Sequence, residues 1–354
     1  MSELHEMTAN VVLHSARALA GYATSELIEA RPEMQASLEP GAFQKWQNML
    51  VQCLEELAAA IALRRPQLFV RHVQWLQSLL TARDVENEAL PSGMQALSKV
   101  LATELPADSG TVASALCRKA AERLRQAATP GDQPLATDSL YGRLASSYLL
   151  AILEGDRARA TRLILDAADA GHSAQDLYLK VLLPAQEEGG RMWQAAEINI
   201  AEEHFATATT RALLVQLRGR TPPGPSRGKT FVASAVAGNQ HDIGLQAVAD
   251  FFEMDGWRVI QLGCDVPVHD LVQAVGFYQA DLLGLSVCLG SQLPTLNQTI
   301  DAVRRGERGA AVKILVGGRG LAGAEDLAAE FGADGYASDP RQAVALGRAL
   351  VGLG

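Results

Sequence analysis

At Thr221–Lys229 (TPPGPSRGK) the period of the hydrophobic pattern changes, and that change divides the chain into two kinds of structure. Before it, apolar residues recur at three and four spacing: Val11, Val12, Ala16, Leu19 and Ala20; Trp46, Leu50, Cys53, Leu54 and Leu57; Phe69, Val73, Leu76 and Leu80. That spacing gathers them on one face of a helix. After it, the apolar runs Thr230–Ala237, Trp257–Leu262, Leu282–Val287 and Val312–Val316 alternate with helical stretches such as Leu245–Glu253, Val268–Tyr278 and Thr295–Arg304. Strand then helix, repeated, predicts a parallel sheet covered on both faces. A short fifth strand, Gly335–Ala337, and a closing helix, Pro340–Val351, complete a doubly wound, flavodoxin-like domain over residues 230–354.

A second break, Ala128–Asp138 (ATPGDQPLATD), is rich in residues that cannot continue a helix. The two breaks predict three domains in the 354 residues: an all-helical domain over 1–127, a four-helix bundle over 139–220 interrupted near Gly155, Gly171 and Gly189, and the α/β domain. Forty acidic against 31 basic side chains, a net charge of -9, exclude nucleic-acid binding by bulk charge. No apolar run approaches the ~18 residues of a membrane helix. The acidic, polar start does not read as a signal peptide, and the four cysteines (Cys53, Cys117, Cys264, Cys288) form no C-x-x-C pair. A cytoplasmic protein without disulfides or a zinc site is expected.

In doubly wound sheets ligands sit beyond the carboxyl ends of the strands. The first strand leads into Gly238-Asn239-Gln240-His241-Asp242-Ile243-Gly244, whose glycines allow a tight turn and close backbone approach. Alone, His241 reads equally as a helix-start residue beside an Asp242 that favours the helix dipole. The second strand is followed by Cys264-Asp265, the third ends in Ser286-Val287-Cys288, and the fourth in Gly317-Gly318, where missing side chains leave room for something flat. One histidine, one serine and a double glycine at successive strand ends outline a slot.

This order resembles the cobalamin-binding domain of the methionine-synthase type, over residues 230–354. In that family a D-x-H-x-x-G loop supplies the lower cobalt ligand, and the nucleotide tail enters a slot beside S-x-L and G-G. The resemblance implies His241 as the cobalt ligand (base-off, His-on), Gly244 as the loop glycine, Ser286 as a tail contact, and Gly317 with Gly318 as the slot floor. Two residues depart from the pattern: Asn239 replaces the aspartate, and Cys288 the leucine. A carboxylate bonded to a ligating imidazole raises its basicity. With Asn239 a weaker donor is expected, or a substitute acid such as Asp242.

The bundle carries Trp193 followed, after nine residues, by Glu203-His204. A helical Trp usually means packing, but W-x9-E-H resembles the cap signature of the light-responsive cobalamin repressors of carotenoid synthesis. That resemblance implies an indole over the upper axial adenosyl group of adenosylcobalamin, with Glu203 and His204 nearby. Gln194 stands where those repressors have a second histidine, so His204 is the nearest replacement for an upper ligand.

Residues 1–127 hold 12 Lys and Arg against 14 Asp and Glu, with no basic recognition helix, so direct DNA reading is not expected. The whole-chain layout is similar to the photocobilins, which implies a bilin such as biliverdin, bound noncovalently. Arg71 and His72 could sit at the mouth of an apolar slit, with Trp75, His14 and Tyr22 as further contacts; from periodicity alone, the segment reads as a helix with one wet and one packed face. The resulting expectation is a light-responsive sensor rather than an enzyme, in which photolysis alters conformation or homo-oligomeric assembly and an unknown protein partner reads the change. The alternative is a corrinoid methyl carrier serving separate methyltransferases. A radical mutase would need a substrate domain that the sequence does not show.

Overall fold

The computed structural model describes residues 2–36, 41–126, 135 and 138–353; the predicted break Ala128–Asp138 lies outside these apart from Leu135 and Asp138. The chain divides into two compact units, Met1–Gly131 with Gln194–Ala196, and Asp132–Trp193 with Glu197–Gly354.

The first unit is helical: α1 (Ser2–Ala30), α2 (Glu33–Ala36), α3 (Ala42–Ala62), α4 (Pro66–Thr81), α5 (Ala89–Glu104) and α6 (Ala107–Gln126). The apolar stripes form its core. Trp46, Leu50, Cys53, Leu54 and Leu57 on α3 are fully buried, as are Phe69 and Val73 on α4. Pro66 starts α4 at a position where its missing N–H costs nothing. Cys53 and Cys117 are buried free thiols, with burial pushing Cys117 up to about 12.

The second unit begins with the bundle: α7 (Leu140–Leu153), α8 (Arg157–Asp169), α9 (Ala174–Leu177), a π turn over Tyr178–Leu182, α10 (Leu183–Gln194) and α11 (Ile200–Arg220). Ser139, Asp156 and Ser173 cap α7, α8 and α9. Asn199 opens α11 with a capping box closed by Glu202; such caps contribute about 1 kcal/mol each. Gly155 and Gly171 end α7 and α8 at φ 74° and 96°. Gly189 behaves differently from the expectation: it lies inside α10, and the chain breaks only after Gln194. The helical spacing that continues on both sides of Gly189-Gly190 outweighs the roughly 1 kcal/mol that a glycine costs inside a helix.

The sheet domain follows with β1 (Thr230–Ala235), α12 (Ile243–Met254), β2 (Arg258–Gly263), α13 (Val268–Phe277), β3 (Leu282–Ser286), α14 (Leu293–Arg305), β4 (Lys313–Gly317), α15 (Leu327–Glu330), β5 (Gly335–Ala337) and α16 (Pro340–Leu350). All strand pairs are parallel, in the order β2-β1-β3-β4-β5. That order reverses between β1 and β3, which opens the crevice where such sheets take ligands. Among the described residues no helix is long and apolar enough to cross a membrane.

Bundle and sheet share one core: Tyr178, Leu213 and Leu217 are buried together with Ala247, Phe251 and Met254 of α12. The Thr221–Lys229 segment, which reads as a linker, is fastened to the turn after α12. Gly224 N–H donates to Met254 O at 2.9 Å and Arg227 N–H to Gly256 O at 2.9 Å.

At the centre of this shared core, the Tyr178 hydroxyl lies 2.6 Å from Leu214 O and 2.9 Å from Asp250 Oδ2. The one hydroxyl hydrogen is shared between these two acceptors, so the buried Asp250 carboxylate is poorly compensated for its lost hydration. Burial pushes Asp250 up to about 6; the Tyr178 contact and Arg218 oppose the rise, and Glu253 adds to it. An acid raised by folding stabilises the fold fully below its ordinary value of 3.8, and that contribution is lost as pH climbs through about 6. Wild-type stability in urea should therefore fall, relative to Asp250→Asn, by up to about 3 kcal/mol between about pH 4 and about pH 7. Parallel pH profiles for the two proteins would refute the upward shift of Asp250.

Candidate functional site

Strand register aligns the site. Ala235 pairs with Ser286, Ser286 with Gly317, and Gly317 with Ala337, so the last residues of β1, β3, β4 and β5 form one row across the carboxyl edge. With strands ~4.8 Å apart, Ala235 to Gly317 spans about 10 Å. The predicted residues His241, Ser286, Gly317 and Gly318 belong to this row or to the loops leaving it.

The loop after β1 is gripped from three sides. Gly238 N–H donates to Asp265 Oδ1 at 2.7 Å, and Gly238 O accepts from Gln292 Nε2 at 2.9 Å. Gln292 Oε1 also accepts the N–H groups of Cys288 and Leu289, both at 3.0 Å. Asn239 is fully buried: its Nδ2 donates to Ser286 O at 3.1 Å and its Oδ1 accepts the His241 N–H at 3.0 Å. The Asn239 amide is thus committed to backbone, and it shapes the loop instead of supporting the His241 ring as the family aspartate would.

Asp242 is likewise not a substitute acid for the imidazole. Its carboxylate takes a two-point contact from Arg211 of α11, at 2.7 Å on each oxygen. Burial pushes the Asp242 carboxyl up, but Arg211 outweighs this and holds it below the usual carboxylate range. The neighbouring Cys264 thiol is raised by burial and by Asp242. His241 itself is exposed, and among the described residues its ring takes no hydrogen-bond partner. Gly244, in the first turn of α12, is also exposed, and a Cβ there would meet nothing within 4 Å.

The double glycine plays another part than expected. A Cβ on Gly317 would lie 2.7 Å from Ala337 O, and one on Gly318, at φ 108°, 2.1 Å from Val287 O. Backbone rather than a vacant slot occupies that side: Gly317 lets the end of β4 approach β5, and Gly318 lets the β4 loop pack on the β3 loop. Cys288 is partly buried, and burial pushes its thiol up.

On the bundle, Glu203, Thr207 and Arg211 are four residues apart and share one face of α11. Thr207 Oγ1 donates to Glu203 Oε1 at 2.7 Å and accepts from Gln186 Nε2 at 2.6 Å. His204 Nδ1 lies 2.9 Å from Glu203 Oε2, with 73% of its side chain exposed. Gln186, Gly189 and Trp193 follow one face of α10. Gly189 is buried, yet a Cβ there would meet nothing within 4 Å, and Gln186 Oε1 is buried without a partner among the described residues. That face offers space and an unused acceptor.

These features fit a corrinoid: an imidazole with no competing partner at the sheet edge, and a bundle face with room and polar groups. In the first unit the proposed bilin contacts separate. Arg71 and Trp75 are exposed, Tyr22 is 57% exposed, and His14 Nδ1 is bonded to Asn10 O at 2.7 Å. His72 turns inward instead: its buried Nε2 has no partner among the described residues, and burial pulls the ring down to about 4. Arg71 and His72 therefore do not make a cationic pair at one mouth. Arg211, Asp265 and Gln292 were not among the expected site residues; the Glu203-Thr207-Arg211 stripe at four-residue spacing is a signal that could have revealed the first.

Comparison with known proteins gives two family matches, both described as the B12 binding domain, over residues 229–345 and 144–218. Dimethylamine corrinoid protein 3 of Methanosarcina acetivorans is 31% identical over 188 residues, 53% of this chain and 87% of that protein. Dimethylamine corrinoid protein 1 of the same organism is 28% identical over 174 residues, 49% of this chain and 81% of that one. The HTH-type transcriptional repressor CarH of Myxococcus xanthus is 30% identical over 159 residues, 45% of this chain and 52% of the repressor. Among solved structures, the monomethylamine corrinoid protein of Methanosarcina barkeri shares the fold, with a TM-score of 0.52, 20% identity, and coverage of 58% of this chain and 96% of that one.

Proposed function

Because the chain belongs to the B12-binding corrinoid protein family, we propose that it holds a corrinoid at the carboxyl edge of its sheet, with His241 as the lower cobalt ligand. The observation that carries this is the His241 ring, free of hydrogen bonds among the described residues, on a loop fixed by Asn239, Asp265 and Gln292. The bound group would supply a labile cobalt–carbon bond with an exchangeable upper ligand. Asn239 and Gln292 hold the loop, Gly317 and Gly318 let the strand-end loops close on each other, and the α10 and α11 faces cover the opposite side.

The dimethylamine corrinoid proteins among the relatives favour a methyl group as the cargo, carried for a separate methyltransferase; in this reading the chain has no catalytic residue of its own. The bundle favours a second reading, in which the upper ligand is adenosyl and light is the signal. Its support is the open space at Gly189 between Gln186 and Trp193, with the unpartnered Gln186 Oε1 and the Glu203–Thr207 pair at hand for a ribose or base. A noncovalent biliverdin in the first unit and light-dependent homo-oligomeric assembly belong to this second reading.

One experiment separates them. The apoprotein is loaded with methylcobalamin or adenosylcobalamin, and its spectrum and elution volume are recorded before and after green light, with and without biliverdin. A carrier keeps one elution volume in all states and passes methyl to a thiol acceptor only with a methyltransferase present. A sensor shifts its elution volume on illumination of the adenosyl form, and a red absorption band with biliverdin would add the second chromophore. Failure to bind either cobalamin would refute both readings.

A further inference from the structure

Arg211 stands out because its two-point grip on Asp242 joins two parts of the site that the chain order keeps apart. Asp242 is the N-cap residue of α12, yet its side chain caps nothing there; it is spent on Arg211 instead. It also follows directly on His241, whose backbone N–H is held by Asn239. The loop bearing His241 is therefore pinned on one side by Asn239 and on the other by a guanidinium from the bundle. A planar fork matching a carboxylate at two points fixes orientation in a way that a single ammonium cannot.

Arg211 lies eight residues beyond Glu203 on the same face of α11, about 12 Å along the helix axis. Thr207 lies between them and is bonded to Glu203 and Gln186. The Glu203–Thr207 pair that meets Gln186 and the guanidinium that grips Asp242 are thus carried by one stiff element.

We propose that Arg211 is a positioning residue: by pinning Asp242 it fixes the orientation in which His241 is offered to a corrinoid cobalt, and it ties that orientation to the helix bearing Glu203. This rests on the corrinoid reading above. A displacement of α11 at its Glu203 end is then transmitted to the His241 loop as a rigid-body movement, in either direction.

The test compares wild type, Arg211→Ala, Arg211→Lys and Asp242→Asn. In the metal-free proteins, amide hydrogen exchange of residues 238–244 is measured; in the cob(II)alamin-loaded proteins, prepared with 15N-histidine, a doublet nitrogen splitting in the electron paramagnetic resonance spectrum reports axial imidazole, distinct from the triplet of the cofactor's own base. Arg211→Ala and Asp242→Asn should speed exchange of the loop at least tenfold and lower the imidazole-ligated fraction at least threefold, with Arg211→Lys in between. Thermal melting of the apoproteins shows whether each variant is folded, and Asp242→Asn carries the test should Arg211→Ala not fold. Unchanged exchange and unchanged nitrogen splitting in folded variants would overturn the proposal alone. Absence of the histidine splitting in cobalamin-loaded wild type would overturn His241 as the lower ligand and this proposal with it, whereas failure to load cobalamin would overturn the corrinoid reading itself.

Discussion

Replacing His241 with alanine should remove all imidazole coordination from the corrinoid-loaded protein while leaving the apoprotein as stable as wild type. The two halves of this expectation have separate physical origins. The ring is exposed and, among the described residues, takes no hydrogen bond, so its loss belongs with surface substitutions, within about 0.5 kcal/mol. The loop's shape is set by backbone contacts from Asn239, Asp265 and Gln292, none of which involves the imidazole. Cobalamin affinity should fall at least tenfold, since loss of even an outer partner of a metal ligand costs about 10–100-fold. The loaded variant should show the spectrum of a corrinoid without a lower nitrogen ligand. A wild-type spectrum in His241→Ala would move the lower ligand elsewhere in the chain.

The second large effect is expected at Gly318. At φ 108° and ψ 162° its backbone occupies a region that side chains avoid. A methyl there would also lie 2.1 Å from Val287 O and 3.0 Å from Val287 N, and these backbone atoms can move only with the end of β3. Gly318→Ala should cost at least about 3 kcal/mol in urea unfolding, strain and overlap together. Its damage should fall on Val287 and Cys288, hence on the row containing Ser286. Gly244→Ala is the control: its Cβ meets nothing within 4 Å in the first turn of α12, and stability should be unchanged or raised by up to about 1 kcal/mol. Equal stability of the two variants would show that the β4 loop does not lie against the β3 loop as described.

Much of the architecture was legible because burial repeats along the sequence. The apolar runs fix five parallel strands to within two residues at each end, and the stripe Trp46, Leu50, Cys53, Leu54, Leu57 is the buried face of α3. Gly189 was misread because a glycine pair signals a break only where flanking contacts do not hold the helix together. The positions of His241, Ser286, Gly317 and Gly318 at strand ends follow from topology and were readable too. What they do locally was not, because it depends on partners distant in sequence. Asn239 was expected to serve the imidazole, but Ser286 O, 47 residues away, claims its amide. Asp242 was expected as a substitute acid for the imidazole, but Arg211, 31 residues earlier, claims its carboxylate. Polar side chains near a ligand loop are contested by the backbone and by neighbouring elements, and a linear pattern does not show who wins.

The wide turn at Tyr178–Leu182 has a consequence for azimuth. A π turn accommodates one residue more than the α-helical winding it interrupts, and each residue of an α-helix advances the face by about 100°. Leu183–Gln194 is therefore rotated by roughly that angle from where an uninterrupted helix would have aimed it, and Gln186, Gly189 and Trp193 turn together. Because Tyr178 opens this turn and is locked to Leu214 and Asp250, the compass bearing of the indole is set fifteen residues upstream, by a phenol that never needs to meet a ligand.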